Sequence, residues 1–573
     1  MTVLLALLAL GAADKDSEYE KTLIAWGLEQ HAVERIADPT GLVVEGVLTA
    51  REDVFSDSDP LTWPRIFHAR TRENVILREV LPLLKPGDTW SQVKVAEIER
   101  NLRALIIIAV AKVVPVRGPN GGVIALVVTK DRWSFRANFS YSLVGSVLEY
   151  LHVPITEMNL LGQAIEVTVD PELRRDTFIL GQEIIWRRIA DSRVLVRESL
   201  GIVLNRNTAK PEGTYGILQV ALPLITLDQP WGFNVFATWD LRRVRIFRGS
   251  RIWELGYPDD DLPSQAVPYV YDRRVLEVAA LGTRRFVMGE WRADVTAGPG
   301  GYMRQYRAPS EPPLQPDVDQ WFTSTWLPRS EDAVYLYASA TLFRARYEKR
   351  HDIETYGLTE DFQSGLRLIA AVKYAPPLTA NHFVELGATV RYRWFLGDDI
   401  LTVWGAAASR FFADGRNVNQ HYGFQVANWS PQFEGGRFVT RIRGDFRRND
   451  LNNFRYVLGA GEGLRGTASG ALAGRNMLLG NFEYRTRPFN LLTTLVGLVL
   501  FYDVGTAYDV NPQLTHSVGL GLRVLIPQLN TQVIRLDLGF IVNAPQGGFS
   551  ADRISSTFGN VTQLQSDFLD DPL

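Results

Sequence analysis

Alternation of apolar and polar positions dominates this chain. In Val533 to Val542, Ile534, Leu536, Leu538 and Phe540 share one face of an extended strand while Arg535, Asp537 and Gly539 share the other. Thr440 to Arg448 repeats the pattern, with Arg441, Arg443, Asp445 and Arg447 set against Thr440, Ile442 and Phe446. From Asp131 onward such runs follow one another without a convincing long helix; they exceed sixteen, counting runs between Arg243 and Gly300 that read equally well as loop hairpins. Charges pointing one way along many strands predict a wet interior. A soluble sandwich gives the same period-two signal strand by strand, with its apolar face inside. The scale of the pattern, residues 131–573 after a secretion-type leader, places the strands instead in a transmembrane antiparallel β-barrel with an apolar outer band. Tyr484, Phe489, Tyr502 and Tyr508, near strand ends, suit interfacial girdles, although each taken singly could be ordinary packing.

The chain before Asp131 has other rhythms. Met1 to Ala13 is an apolar run followed by small residues, then Asp14 and Lys15, and reads as a signal peptide without a positive n-region; a buried N-terminal helix is the competing reading. Residues 14–40 form a helical lead-in, with Leu23, Trp26, Leu28, Val33 and Ile36 among charges. Residues 41–130 read β-α-α-β-β. A run from Leu42 to Leu48 precedes a helix capped by Thr71 and closed by Pro82. A second helix follows Ser91 with Val95, Ile98, Leu102 and Leu105 on one face, and a hairpin turns at Pro119-Asn120-Gly121-Gly122. This order predicts a small α+β domain, two helices layered on a sheet.

Composition then narrows the class. The 573 residues are too many for one ordinary soluble core, and 11% aromatics, 47 Gly and a mean hydropathy of -0.05 suit strands and turns. A helical span needs about 20 consecutive apolar residues. Leu102 to Val116 and Leu491 to Val504 are too short and carry Arg103, Lys112 and Asp503, so both read as buried strands. A net charge of -3 without a basic block excludes a nucleic-acid partner. The absence of Cys removes disulfides, thiolate nucleophiles and Cys-ligated metals. His31, His68, His152 and His351 have no zinc-ligand spacing, and neither Gly461-Glu462-Gly463 nor Gly519-Leu520-Gly521 is a phosphate loop. No catalytic site, metal or cofactor is expected.

The most informative stretch is Gly459-Ala460-Gly461-Glu462-Gly463-Leu464-Arg465-Gly466-Thr467, a glycine-rich loop with an arginine at its tip that could re-enter a lumen. Strand parity puts Val499, Phe501, Asp503 and Gly505 on one face of a later strand and Asn481, Glu483 and Arg485 on one face of another. Asp503 and Glu483 are therefore the proposed partners of Arg465.

Two sets of residues carry a family resemblance. Thr71 to Glu79, Lys85-Pro86-Gly87-Asp88 and Glu99 to Arg103, in the β-α-α-β-β order, resemble a POTRA domain. Leu464-Arg465-Gly466-Thr467, Phe501-Tyr502-Asp503-Val504-Gly505 and Glu157-Met158-Asn159-Leu160-Leu161-Gly162 resemble signatures of the BamA/TamA family of outer-membrane assembly and translocation proteins, with Thr467 where an aromatic is usual. The resemblance implies about sixteen barrel strands, a single POTRA-like domain at 41–130 in the periplasm, and a Gram-negative outer-membrane barrel at 131–573 with the Arg465 loop inside its lumen. It implies protein insertion or translocation, with unfolded periplasmic client proteins as partners, outer-membrane lipids and lipopolysaccharide around the barrel, and room for an accessory periplasmic or inner-membrane protein. A client strand would pair with the edge carrying Ile106, Ile108, Val110 and Val113. The first barrel strand, about Ser134 to Leu143, and the last, about Arg553 to Asn560, would meet at a seam. A passive porin-like barrel and a secretion pore for one dedicated client are the alternative functions. A single POTRA-like domain and the ending Phe568-Leu569-Asp570-Asp571-Pro572-Leu573 depart from typical assembly factors and point to a specialised member.

Overall fold

The computed structural model describes residues 18–559 except 55–67, 138–139, 145–146, 190–191, 249–250, 259–265, 311–312, 357–358, 380, 453, 460–461, 468–470, 492–493, 526–532 and 544–553. The expected leader at Met1 to Ala13 and the residues after Gly559 lie outside the described residues, as do parts of the expected first and last barrel strands.

The N-terminal unit contains helix α1 (Glu18–His31), strand β1 (Val44–Glu52), helices α2 (Glu73–Val80) and α3 (Gln92–Ala104), and strands β2 (Ile108–Arg117) and β3 (Val123–Asp131). The sheet order is β1-β3-β2, parallel between β1 and β3 and antiparallel between β2 and β3. Both faces are covered. Val75, Ile76, Val80, Ile98 and Leu102 from α2 and α3 pack with Ile108, Ala111, Val113 and Val127, while Leu23 and Ile24 of α1 pack with Ala50, Val110, Val114 and Val128. The lead-in helix thus supplies the second layer, which explains why β2 and β3 are apolar on both sides. Ser91 caps α3 by accepting from the Lys94 amide. Thr71 does not cap α2: the N-cap is Arg72, and Thr71 is fully buried, its amide donating to Asp131 and its hydroxyl accepting from Asn159. A tertiary tether has taken the side chain that local pattern assigned to the helix end.

The remaining chain forms a closed antiparallel barrel. Three strands are interrupted: Phe135–Ala137 with Ser140–Val144, Val147–His152 with Ile155–Glu157, and Asn476–Thr486 with Phe489–Leu491. Counting each once, the ring has twenty strands among the described residues, where the resemblance implies about sixteen. The runs between Arg243 and Gly300 divide between ring and loop. Val270–Met288 and Trp291–Arg307 hydrogen-bond into the ring, whereas the pairs Phe247–Arg248 with Arg251–Ile252, and Glu254–Gly256 with Ala266–Pro268, are loop hairpins. No described helix is long and apolar enough to cross a membrane.

Side-chain exposure is the inverse of a soluble sandwich. Leu536 and Leu538 are exposed while Arg535 and Asp537 are buried; likewise Ile442 is exposed while Arg441 and Asp445 are buried. Of the aromatic girdle candidates, Phe489 and Tyr502 are exposed, and Tyr484 stacks on Phe433 and packs at a tilt against Phe438. Polar groups facing the lumen and apolar groups facing outward are what a bilayer-spanning ring requires.

The N-terminal unit docks on one end of the barrel through inter-strand turns. Asn159 donates to the Ala69 carbonyl and the Thr71 hydroxyl, and the Gly162 carbonyl accepts from the Arg72 amide. Gly162 has φ +73, and a Cβ there would lie 2.5 Å from the Arg70 carbonyl oxygen, so the Glu157-to-Gly162 motif needs its glycine for this close approach. Arg188 donates to Glu79, and Glu97 accepts from the Leu227 amide at 2.7 Å. Burial pushes the Glu97 carboxyl above its usual range, with the Leu227 hydrogen bond opposing.

Ile98 is fully buried between α3 and the sheet. Ile98→Ala is expected to cost about 2–5 kcal/mol of local stability. In the detergent-folded full chain this should raise protease cleavage within 18–131 while the barrel keeps its heat-modifiable gel mobility; equal protease resistance would contradict this packing.

Candidate functional site

The loop between Gly436–Arg448 and Asn476–Thr486 turns back into the barrel and delivers Arg465 to the inner wall. Leu464 anchors it, fully buried among Tyr456, Leu458, Met477 and Leu479. The tip turn is closed by Thr467, whose hydroxyl donates to the Leu464 carbonyl at 2.7 Å. A hydroxyl therefore closes the turn at the position where the signature this loop resembles has an aromatic. Gly466 has φ +87, and a Cβ on it would stand 2.8 Å from the Phe540 amide nitrogen. On the opposing strand, a Cβ on Gly539 would meet the Gly466 nitrogen at 2.5 Å. The tip thus packs backbone to backbone on Ile534–Ile541, and both positions need glycine.

The Arg465 guanidinium is completely buried and fully committed. Nε and one terminal nitrogen form a fork on Asp503, both at 2.7 Å, and the other terminal nitrogen donates to Glu483 at 2.7 Å. The backbone amide of Arg465 also donates to Asp503 at 3.2 Å. Its Cζ lies 3.6 Å from the ring centroid of Phe501, so the plane stacks on an aromatic face. Asn481 completes the cage, donating to Asp503 and to the Gly463 carbonyl at 2.8 Å each. Gly505, further along the Asp503 strand, sits against Leu479 and Leu458.

The structure therefore brings Leu464, Arg465, Gly466, Thr467, Glu483, Phe501, Asp503 and Gly505 together. It also recruits residues that parity reasoning did not connect to the loop. Asp537 lies 3.6 Å from Arg465 and binds Arg523 at 2.6 Å and Arg535 at 3.2 Å, while Arg485 binds Glu483 at 2.8 Å. The face of Asp537 was readable; that its strand neighbours the loop was not, because non-sequential contact with a folded-in loop leaves no periodic trace. The cluster links three carboxylates with Arg465, Arg485, Arg523 and Arg535, so charge is nearly balanced where water is scarce. It contains no nucleophile–base pair; its chemistry is clamping, joining one loop to three strands.

The expected client edge lies elsewhere, on β2 at the docked end. Ile106 precedes the strand; Ile108 and Val113 point into the α2/α3 core and Val110 into the α1 core. Contrary to expectation, the outward backbone of β2 is occupied. Glu99 accepts from the Val113 amide at 3.0 Å, Arg103 donates to the Ala111 carbonyl at 3.3 Å, and the Pro115 carbonyl accepts from the Ile36 amide. An edge strand left bare would template unwanted pairing, and side chains of α3 cover it.

Comparison with known proteins finds a family-model match that includes the site. Residues 353–560, which contain the whole cage, match the Omp85 superfamily domain. No curated protein matches the chain by sequence. Among solved structures the chain is similar to BamA from Haemophilus ducreyi lacking POTRA domains 1-3, at 14% identity over 90% of this chain and 83% of that one, with a TM-score of 0.33. It is similar to CdiB from Acinetobacter baumannii at 12% identity over 90% and 72%, with a TM-score of 0.40. The FrpB iron transporter from Neisseria meningitidis is similar at 9% identity over 76% and 83%, with a TM-score of 0.37. At these low scores the structural likeness carries no argument, and what the comparisons show is the match over residues 353–560.

Asp503→Asn preserves volume but leaves Arg465 without its charged fork. Breaking a buried pair of this kind costs about 3–5 kcal/mol. The detergent-folded chain should accordingly lose its compact gel band at a lower temperature than the parent, and Arg465→Lys should do the same because an ammonium cannot reproduce the fork. An unchanged transition in both variants would show that the cage does not stabilise the barrel.

Proposed function

We propose, from the match of residues 353–560 to the Omp85 superfamily domain and the closed barrel that they help to form, that this chain is a bacterial outer-membrane barrel protein that inserts or translocates client proteins, with residues 41–130 acting as a POTRA-like periplasmic domain. The observation that carries this reading is the pairing of a sheet-bearing unit with a barrel mouth. The unit is tied to the turns at Asn159 and Gly162, at Arg188 and at Leu227, which sets the edge of β2 beside the bore. A passive pore needs no such unit.

In this reading an extended client segment pairs with β2 by backbone hydrogen bonds and passes to the barrel wall. The ring closes where Ile554–Gly559 lies beside Phe135–Ala137, and a client leaving sideways would part these two strands. The Arg465 cage joins the loop to Asn476–Thr486, Thr494–Tyr508 and Ile534–Ile541, so it braces the wall on one side of that closure. Accessory periplasmic or inner-membrane partners would meet the N-terminal unit, and lipid and lipopolysaccharide the outer apolar band.

Arg465→Ala should abolish client delivery while a folded barrel persists in the membrane, read by outer-membrane proteomics of a strain carrying only the variant. Depletion of the protein should lower specific outer-membrane or secreted proteins. An unchanged profile after depletion, with solute conductance intact, would leave the porin reading in place and remove this one.

A further inference from the structure

The connection between the tenth barrel strand, Glu331–Arg344, and the eleventh, Gly365–Ala375, lies at the docked end and is far longer than a turn requires. It forms a hairpin, Tyr347–Arg350 with Glu360–Gln363, whose described residues pack on the barrel wall. Ile353 and Phe362 pack with Ile400, Trp429 and Val439, and the Ile353 carbonyl accepts from Arg485. Tyr356 reaches Leu525 and Val533, and a Cβ on Gly497 would stand 2.6 Å from its hydroxyl. Leu525 ends the eighteenth strand, eight places round a ring of twenty from the strand that starts the connection. The segment therefore joins wall positions eight strands apart. Its tip is stiffened by Glu360, which accepts from the amides of Ile353, Glu354 and Thr355 and from the Thr355 hydroxyl.

The N-terminal unit holds this hairpin from outside. Lys349 binds Glu99 at 2.9 Å, Asp361 binds Arg103 at 2.7 Å, the Thr359 hydroxyl donates to Glu20 at 2.6 Å, and Arg100 lies over the Tyr347 ring at 4.1 Å. Glu99 and Arg103 are also the two side chains that cover the outward Val113 amide and Ala111 carbonyl of β2. One pair of residues therefore serves two contacts. A strand that pairs with β2 needs the Val113 amide and Ala111 carbonyl, and must displace Glu99 and Arg103 to reach them.

We propose that residues 347–356 and 359–363 form a bar across the bore, latched by Glu99 and Arg103, and that an extended client strand pairing with the edge of β2 releases it. This rests on the client-handling reading above and adds its regulation: the residues that hide the edge are those that keep the bore shut, so occupancy of one opens the other. The bar needs no separate signal, since the client competes for hydrogen bonds with the latch itself.

The test uses the full chain reconstituted in planar phosphatidylcholine/phosphatidylglycerol bilayers, with conductance recorded and a fluorescent synthetic peptide of alternating valine and threonine as the probe. The parent should be shut at rest and open when peptide is added. Lys349→Ala with Asp361→Ala should open without peptide, with a rise in open probability of about tenfold, the shift that two partly buried ion pairs can carry. Because the chain has no Cys, Arg100→Cys with Tyr347→Cys can be bridged by a short bis-maleimide. This leaves Glu99 and Arg103 in place and should keep the bore shut even with peptide bound. It also decides the matter if the alanine pair fails to give a folded barrel. Peptide that binds, by anisotropy, without opening the parent overturns the latch and spares the client reading. Peptide that does not bind overturns both, and a bridged variant that opens like the parent overturns the bar.

Discussion

A guanidinium stripped of water has to be neutralised where it stands, and Arg465 shows how much structure that demands. Its burial draws in a carboxylate fork from Asp503, a second carboxylate from Glu483, an aromatic face from Phe501 and an amide from Asn481. The neighbouring arginines then keep three clustered carboxylates from repelling one another. Such a group adds little net stability compared with an apolar core, but it tolerates few geometries, so it fixes where the loop and its three strands sit. Gly466 and Gly539 supply the space for that geometry, and Thr467 closes the turn.

The same economy of polar groups governs the other end of the barrel. Four charged side chains of α2 and α3 do not float in solvent: Glu79, Glu97, Glu99 and Arg103 each reach a barrel turn or the hairpin after the tenth strand. Buried polar groups need partners, and here those partners belong to different parts of the chain, so the N-terminal unit and the barrel are positioned by mutual satisfaction of charge. The clamp in the wall and the ties at the mouth together join distant strands and the N-terminal unit through contacts within one chain.

The barrel and its polarity were legible because period-two alternation is a local property, visible in Ile534 to Phe540 without knowing any neighbour. The Arg465, Asp503 and Glu483 cluster was legible through parity and resemblance together. Thr71 was misread because a helix-capping residue type carries no mark of a distant Asn159. The alternating runs exceeded the sixteen strands that the resemblance implied, and the ring has twenty; because hairpins inside and outside a ring share the same alternation, only the pairing of Val270–Met288 and Trp291–Arg307 distinguishes them from the loop hairpins before them.

The β2 edge marks the boundary between the two kinds of knowledge. By itself the sequence determined that a β-rich segment would follow α3, that residues beyond Asp131 would alternate, and that a glycine-flanked arginine would face acidic strand positions, since these follow from spacing along one chain. Only the tertiary structure decided that Glu99 and Arg103 cover the edge, that Asp537 joins the cage, and that a hairpin from the tenth strand reaches the eighteenth. Those facts depend on which distant groups meet in a low-dielectric interior, where each buried charge must find a partner, and a linear pattern holds no record of that meeting.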